Sequence, residues 1–299
     1  MKAPTSLLGR DLLRIRDFTR DEAEQVLDLA AALKAQPRAL LPHVNVGLYF
    51  AQPSTRTRIS FSAAIGELGG TPIVLMPNEM QLSRGESVFD TAHVLSRYLD
   101  ALVMRTLAHE ELEAWAEAAD IPVINALTGL EHPLQALADV LTIRERLGSL
   151  DGLRIGWVGD GTNVLDSLAE LASMLGAEVV AACPEGYDPA SDNLSLVRDP
   201  REAARGADVL ATDIWVSLGQ EADREKRLRD LEPYRLDESL VELAAPASIV
   251  LHCLPAHPGE EISAGVLYGE HSAVWDEAEN RLHTEKALLA LVCSPKSAD

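Results

Sequence analysis

Apolar residues recur along this chain in two alternating rhythms. Short β-prone runs such as Val44-Asn45-Val46-Gly47-Leu48-Tyr49-Phe50 read as buried strands. Between them lie stretches with apolar residues at helical spacing, for example Ala23, Val26, Leu27, Ala30 and Leu33. Thr19-Arg20-Asp21-Glu22 is a capping box, and it opens a predicted helix to about Gln36, which Pro37 and Pro42 end. Further strands are predicted at 71–76, 101–104 and 122–125, with helices after Ser54, over 88–100, over 109–119 and from Pro133 to Leu147. Residues 77–87 are polar, lack periodicity and read as a loop.

Gly148 to Gly152 is a turn, after which the pattern restarts. Strands are predicted at 153–158, 178–182, 209–212 and 248–252. Helices are predicted at 164–175, 200–206, 221–231, 237–244 and 284–292, and 184–199 reads as a long loop. Strands alternating with helices imply parallel sheets covered on both faces. The fold class is therefore α/β, with two parallel-sheet domains divided near residue 150.

Ligands of open parallel sheets bind beyond the carboxyl ends of the strands. In the first half those ends carry Ser54-Thr55-Arg56-Thr57-Arg58, Arg105, His132 and Gln135. The first of these opens a helix, whose free N–H groups and positive dipole end favour an anion. One serine and one arginine would be an ordinary cap with a solvated side chain. Three hydroxyls and two arginines in five residues favour a phosphate or carboxylate site. His132 alone could be a packed core histidine, but its place before Pro133 at a helix start, near Gln135, favours a ligand role. The set suits a small phosphorylated compound bearing a carbonyl.

The second half offers Asn163, Asp213 and Cys253 at its strand ends. An amide, a carboxylate and a thiol suit a substrate carrying both an ammonium and a carboxylate. Cys253 admits two readings of equal weight, a small buried apolar residue or a group at the substrate edge. Gly159-Asp160-Gly161 matches only part of a dinucleotide fingerprint and reads as a tight turn. The charge run at 221–231 reads as a solvated helix face. Two active edges turned toward each other would form a cleft for small molecules.

Composition narrows the classes. The 299 residues suffice for two domains, with 47% hydrophobic and 24% charged residues. No apolar run approaches membrane-spanning length, and the N-terminus lacks a signal-peptide core, so a cytoplasmic location is expected. A net charge of −21 argues against nucleic acid or an anionic membrane as partner. An anionic substrate must be drawn in by local arginines. Arginines number 21 against 5 lysines; a high-salt habitat and high-GC codon usage both fit this. Cys183, Cys253 and Cys293 are far apart and odd in number, and no disulfide framework or zinc spacing appears.

Four motifs occur in order: Ser54-Thr55-Arg56-Thr57-Arg58, His132-Pro133-Leu134-Gln135, Asp213 with Ser217-Leu218-Gly219, and His252-Cys253-Leu254-Pro255. Together they resemble the aspartate/ornithine transcarbamylase family over about residues 8 to 292. The last two, with Gly159-Asp160-Gly161-Thr162-Asn163, resemble its ornithine branch. The resemblance implies carbamoyl phosphate bound by Ser54, Thr55, Arg56, Thr57, Arg105, His132, Gln135, the backbone at Cys253 and Leu254, and Arg281. It implies Gln81 reaching the site from a neighbouring subunit, in a homotrimer or a multiple of trimers. It implies L-ornithine bound by Asn163, Asp213, Ser217 and Leu218, with Arg105, His132, Asp213 and Cys253 as catalytic residues. No metal or organic cofactor is implied. The carbamoyl-phosphate domain would span 1–148 plus a returning C-terminal helix at about 282–299, and the ornithine domain 149–281. Three departures from the family pattern stand out: Leu218 where Met is usual, Thr162 where Asn is frequent, and a short 184–199 segment. Aspartate or putrescine as acceptor, or a catalytically silent relative, are the rival readings.

Overall fold

A computed structural model describes residues 6–217 and 220–294. The chain divides into two compact units: Met1–Leu137 with Arg281–Asp299, and Ala138–Asn280.

The first unit begins with helix α1 (Arg20–Ala35), whose N-cap Thr19 accepts from the Glu22 N–H while Glu22 accepts in return. Next come β1 (Asn45–Phe50), α2 (Thr55–Glu67), β2 (Thr71–Leu75), α3 (Val88–Leu95), β3 (Ala101–Arg105), α4 (His109–Ala118) and β4 (Val123–Leu127). The division between units falls within α5 (Pro133–Leu147). The four strands are parallel in the order β2-β1-β3-β4. Their registers pair Phe50 with Arg105 and Arg105 with Leu127. The carboxyl ends of β1, β3 and β4 are therefore level, and the residues after each strand are delivered to one edge. The sheet is tightly packed: a Cβ on Gly47 would lie 2.6 Å from Leu99 Cδ1. Tyr49, Leu102, Met104, Leu112 and Trp115 form a core on one side, with the Tyr49 and Trp115 rings 5.7 Å apart.

The second unit continues with β5 (Arg154–Val158), α6 (Asn163–Met174), β6 (Glu178–Ala182), β7 (Ser195–Val197), α7 (Pro200–Ala204), β8 (Val209–Thr212) and α8 (Arg224–Leu231). The short α9 (Glu238–Val241), β9 (Ile249–His252) and α10 (Ala264–Leu267) complete its order. Its five strands are parallel in the order β7-β6-β5-β8-β9. Thr212 pairs with His252, so the residues after β8 and β9 emerge side by side. Val158, Val180, Leu210, Val250 and Ile262 lie in one core of this unit.

The last helix, α11 (Val274–Val292), crosses the division. In the second unit Asn280 Nδ2 donates to Thr142 Oγ1 (2.9 Å) and Glu145 Oε2 (2.8 Å). In the first unit Lys286 Nζ meets Glu67 Oε2 at 2.7 Å, and the Gly9 N–H donates to the Val292 carbonyl. The C-terminal part of α11 thus packs on the first unit.

Two α/β units with all-parallel sheets are what the alternating pattern predicts. Several boundaries differ. The terminal helix starts ten residues before the predicted 284, because its buried face is polar: Glu277, Asn280, Arg281, His283 and Thr284 are all buried. An apolar periodicity could not reveal it. The predicted loop 184–199 contains β7, an exposed three-residue edge strand too short for a pattern. Residues 77–87 include a 3-10 turn, Gln81–Arg84. Helix α3 ends at Leu95 rather than near 100.

Candidate active site

In the first unit, Ser54 is the N-cap of α2, yet its side chain makes no cap hydrogen bond. Its hydroxyl instead accepts from Arg105 Nη1 at 3.3 Å, across the level ends of β1 and β3. Thr57, one turn into the helix, is buried, whereas Thr55, Arg56 and Arg58 are not. Thr57 Oγ1 accepts from Arg281 Nη2 at 3.0 Å. Arg281 Nη1 donates to Gln135 Oε1 at 2.8 Å, and Nη2 also meets Glu285 Oε1 at 3.1 Å. Helix geometry explains the last contact, since Arg281 and Glu285 are four apart on α11. His132 is buried just before α5.

The electrostatics of this set favour an anion. Burial, together with the cationic Arg281 and Arg105, pushes the His132 imidazolium well below its ordinary range. His132 is therefore a neutral ring near neutral pH, a hydrogen-bonding group rather than a charge. Glu285 is driven up to about 7 by burial, against the pull of Arg281 and a hydrogen bond from Ser60. Arg105 and Arg281 thus supply positive charge beside oriented hydroxyl and amide groups, a combination suited to phosphate. Gln81 lies exposed at the start of its 3-10 turn.

In the second unit the turn Gly159-Asp160-Gly161-Thr162 leads into α6, of which Asn163 is the first residue. Thr162 Oγ1 donates to Asp213 Oδ2 at 3.3 Å. Asp213 is buried beyond β8, and its Oδ1 accepts from Cys253 Sγ at 3.0 Å and from the Ile214 N–H at 2.7 Å. Burial, then the Asp213 charge and hydrogen bond, push the Cys253 thiol well above its ordinary value. Cys253 is thus a protonated thiol that donates to a buried carboxylate. Ser217 presents its N–H to Gln220 Oε1 at 3.0 Å. Leu218 and Gly219 lie outside the described residues.

His252 explains the next turn. Its Nδ1 accepts from the Leu254 N–H at 3.0 Å, so its Nε2 carries the proton and donates to Glu261 Oε1 at 3.1 Å. The Leu254-Pro255 peptide is cis and Leu254 has φ 56°, so the chain turns sharply after Cys253. Asp213, His252 and Cys253 bring possible ligand atoms within 4.8 Å of one another. Both ring nitrogens and the thiol proton are already committed, so the three read as a hydrogen-bonded set rather than a metal centre.

Sequence reasoning did not identify Glu285, Thr162, Glu261 or Glu277 as supports. The four-residue spacing of Arg281 and Glu285 was a usable signal. Glu277, whose Oε2 accepts the His252 N–H at 2.8 Å, carried none.

Comparisons with known proteins establish the family. The carbamoyl-phosphate-binding domain model of aspartate/ornithine carbamoyltransferases matches residues 10–145, and the Asp/Orn-binding domain model matches 151–292. The chain belongs to the aspartate/ornithine carbamoyltransferase family. It is 49% identical over 300 residues to an ornithine carbamoyltransferase of Nostoc punctiforme, covering 96% of this chain and 98% of that protein. Its fold matches the ornithine carbamoyltransferase of Pyrococcus furiosus with a TM-score of 0.92 and 44% identity, covering 97% of this chain and 98% of the other. The Thermus thermophilus enzyme of that name matches with a TM-score of 0.88 and 42% identity, covering 94% and 97%.

Proposed function

We propose that the chain transfers the carbamoyl group of carbamoyl phosphate to the side-chain amine of L-ornithine, giving L-citrulline and phosphate. The observation that carries this reading is the buried Asp213 carboxylate, held by Cys253 and by Thr162, the residue that precedes Asn163. A carboxylate and an amide so placed suit an amino acid whose far end is a second amine.

In this reading Ser54, Thr55, Arg56, Thr57, Arg105, His132, Gln135, Arg281 and the Cys253–Leu254 backbone bind carbamoyl phosphate. Gln81 joins them from a neighbouring subunit of a cytoplasmic homotrimer or multiple of trimers. Asn163, Asp213, Ser217 and Leu218 bind ornithine. Residues 1–148 with 282–299 form the carbamoyl-phosphate domain, and 149–281 the ornithine domain. No metal or organic cofactor is required. Among the described residues no helix is long and apolar enough to cross a membrane.

The neutral amine attacks the carbonyl carbon, the bond to the phosphate oxygen breaks, and the amine nitrogen sheds a proton. Negative charge grows on the carbonyl oxygen and on the departing phosphate. Arg105, Thr57 and the neutral His132 ring stabilise the first, while Arg56 and Arg281 take the second. Asp213 and Cys253 orient the amine. A protonated Cys253 suits this role, since no covalent intermediate is needed.

The test is direct. Purified protein given carbamoyl phosphate and L-ornithine should release citrulline and phosphate in equal amounts. Phosphate release without citrulline would refute the reading.

A further inference from the structure

We propose that Arg227 is a positioning residue for the acceptor, tying the Gly159–Asn163 turn to the segment that carries Asp213 and Ser217. The proposal rests on the acceptor reading of those residues given above.

Helix α8 is dense in charge, Arg224-Glu225-Lys226-Arg227-Leu228-Arg229-Asp230, and its composition alone suggests a solvated rod. Arg227 departs from that: its side chain is 12% exposed, against 61% for Lys226 and 73% for Arg229. Its Nη2 pairs with the Asp160 carboxylate, itself only 10% exposed. Its Nε donates to the Trp215 carbonyl at 2.5 Å. Its flat face lies over the Tyr187 ring, 5.0 Å from the centroid. One planar fork thus binds two chain segments far apart in sequence, a task that suits arginine and not lysine.

Both segments lead to acceptor residues. Asp160 is three residues before Asn163, and Trp215 is two after Asp213 and two before Ser217. The turn is hemmed in: Trp157 Nε1 donates to the Asp160 carbonyl at 2.9 Å, and a Cβ on Gly161 would lie 2.3 Å from Pro189 N. Trp215 is fully buried, which anchors the other side. Between these anchors, Arg227 and the Thr162–Asp213 hydrogen bond cross from one segment to the other. The tie also carries charge. Burial raises Asp160 to about 6, with Arg227 opposing the rise and Asp213 adding to it. Without Arg227, Asp160 would take a proton more readily and its link through the guanidinium to the Trp215 carbonyl would be lost.

The experiment uses the full chain with Arg227→Gln and Arg227→Lys, varying each substrate at saturating levels of the other. Arg227→Gln should raise the KM for ornithine by at least about tenfold, the scale of lost charge-assisted hydrogen bonds. The KM for carbamoyl phosphate should stay within about twofold, and Arg227→Lys should recover part of the loss. An unchanged ornithine KM, or equal rises in both KM values with near-UV circular dichroism intact, overturns the proposal. If Arg227→Gln does not fold, Asp160→Asn cuts the same tie from its other end and must give the same split. A parent protein that prefers another amine contradicts the ornithine assignment alone, and Arg227 is then judged by the KM for that amine. A parent that carbamoylates no amine overturns both.

Discussion

Cys253 Sγ lies 3.0 Å from Asp213 Oδ1 and donates its proton to that carboxylate. The pair exists because β8 and β9 end in register: Thr212 pairs with His252, and Asp213 and Cys253 are the next residues of the two segments. Two residues forty apart in sequence are thus brought together by a parallel ladder rather than by any local motif.

This pairing predicts an unreactive thiol. Burial and the Asp213 charge hold Cys253 protonated, and burial also pushes Cys183 and Cys293 up to about 12. Alkylation of the native protein by iodoacetamide at pH 7.5 should be much slower than that of a free thiol. Cys253→Ser keeps a donor to Asp213 and should retain most turnover. Rapid alkylation of Cys253, or abolished turnover in a well-folded Cys253→Ser, would contradict this account.

Arg281 is a buried cation bridging Thr57, Gln135 and Glu285, and in the proposed reading it takes the departing phosphate. Arg281→Ala should cost about 2–5 kcal/mol of transition-state stabilisation, the range for truncating a buried charge partner. The loss should appear in kcat/KM for carbamoyl phosphate. Wild-type efficiency in this variant would remove Arg281 from the site.

Glu285 makes a prediction about stability. Its folded pKa, raised to about 7, exceeds the ordinary 4.5. The folded state therefore binds the extra proton, and its contribution is fully present below about 4.5 and lost as pH rises through about 7. The loss is on the order of 3 kcal/mol across that window. Glu285→Gln cannot titrate, so its unfolding midpoint relative to wild type should rise between pH 4.5 and 8. A difference independent of pH would show that Glu285 does not titrate there.

Activity should also depend on pH. A free alkyl ammonium has a pKa near 10.4, so at pH 7 only about one molecule in 2,500 carries the nucleophilic amine. His132, pushed well below its ordinary value, adds no ionisation between pH 6 and 8. The kcat/KM for ornithine should climb across that interval. A flat profile with chemistry rate-limiting would exclude attack by the free amine.

The architecture was legible because the central parallel strands, such as β1, β3 and β5, are buried and announce themselves as apolar runs. The strand-end rule then singled out Ser54, Arg105, His132, Asn163, Asp213 and Cys253 without any contact information, and the structure pairs Ser54 with Arg105 and Asp213 with Cys253. What it missed shares a physical cause. The first half of α11 hides polar side chains such as Glu277 and Asn280 on its buried face, so no apolar rhythm marked it as a helix. Arg227 sits in a run of charges and differs from its neighbours only in direction, which composition does not encode. Strand β7 is three residues long and exposed, below the length at which periodicity speaks.

The acceptor decides the account. Asp213 favours an ammonium and repels an additional carboxylate, which disfavours aspartate. Asn163 would lack a carboxylate partner with putrescine. Unpaired polar groups in an enclosed site discriminate by large factors, so ornithine should exceed both by at least about a hundredfold in kcat/KM. Comparing the three amines with purified protein and saturating carbamoyl phosphate measures this ratio directly. A preference for ornithine of that size supports the roles given to Asn163 and Asp213. Equal efficiency with aspartate or putrescine would contradict them.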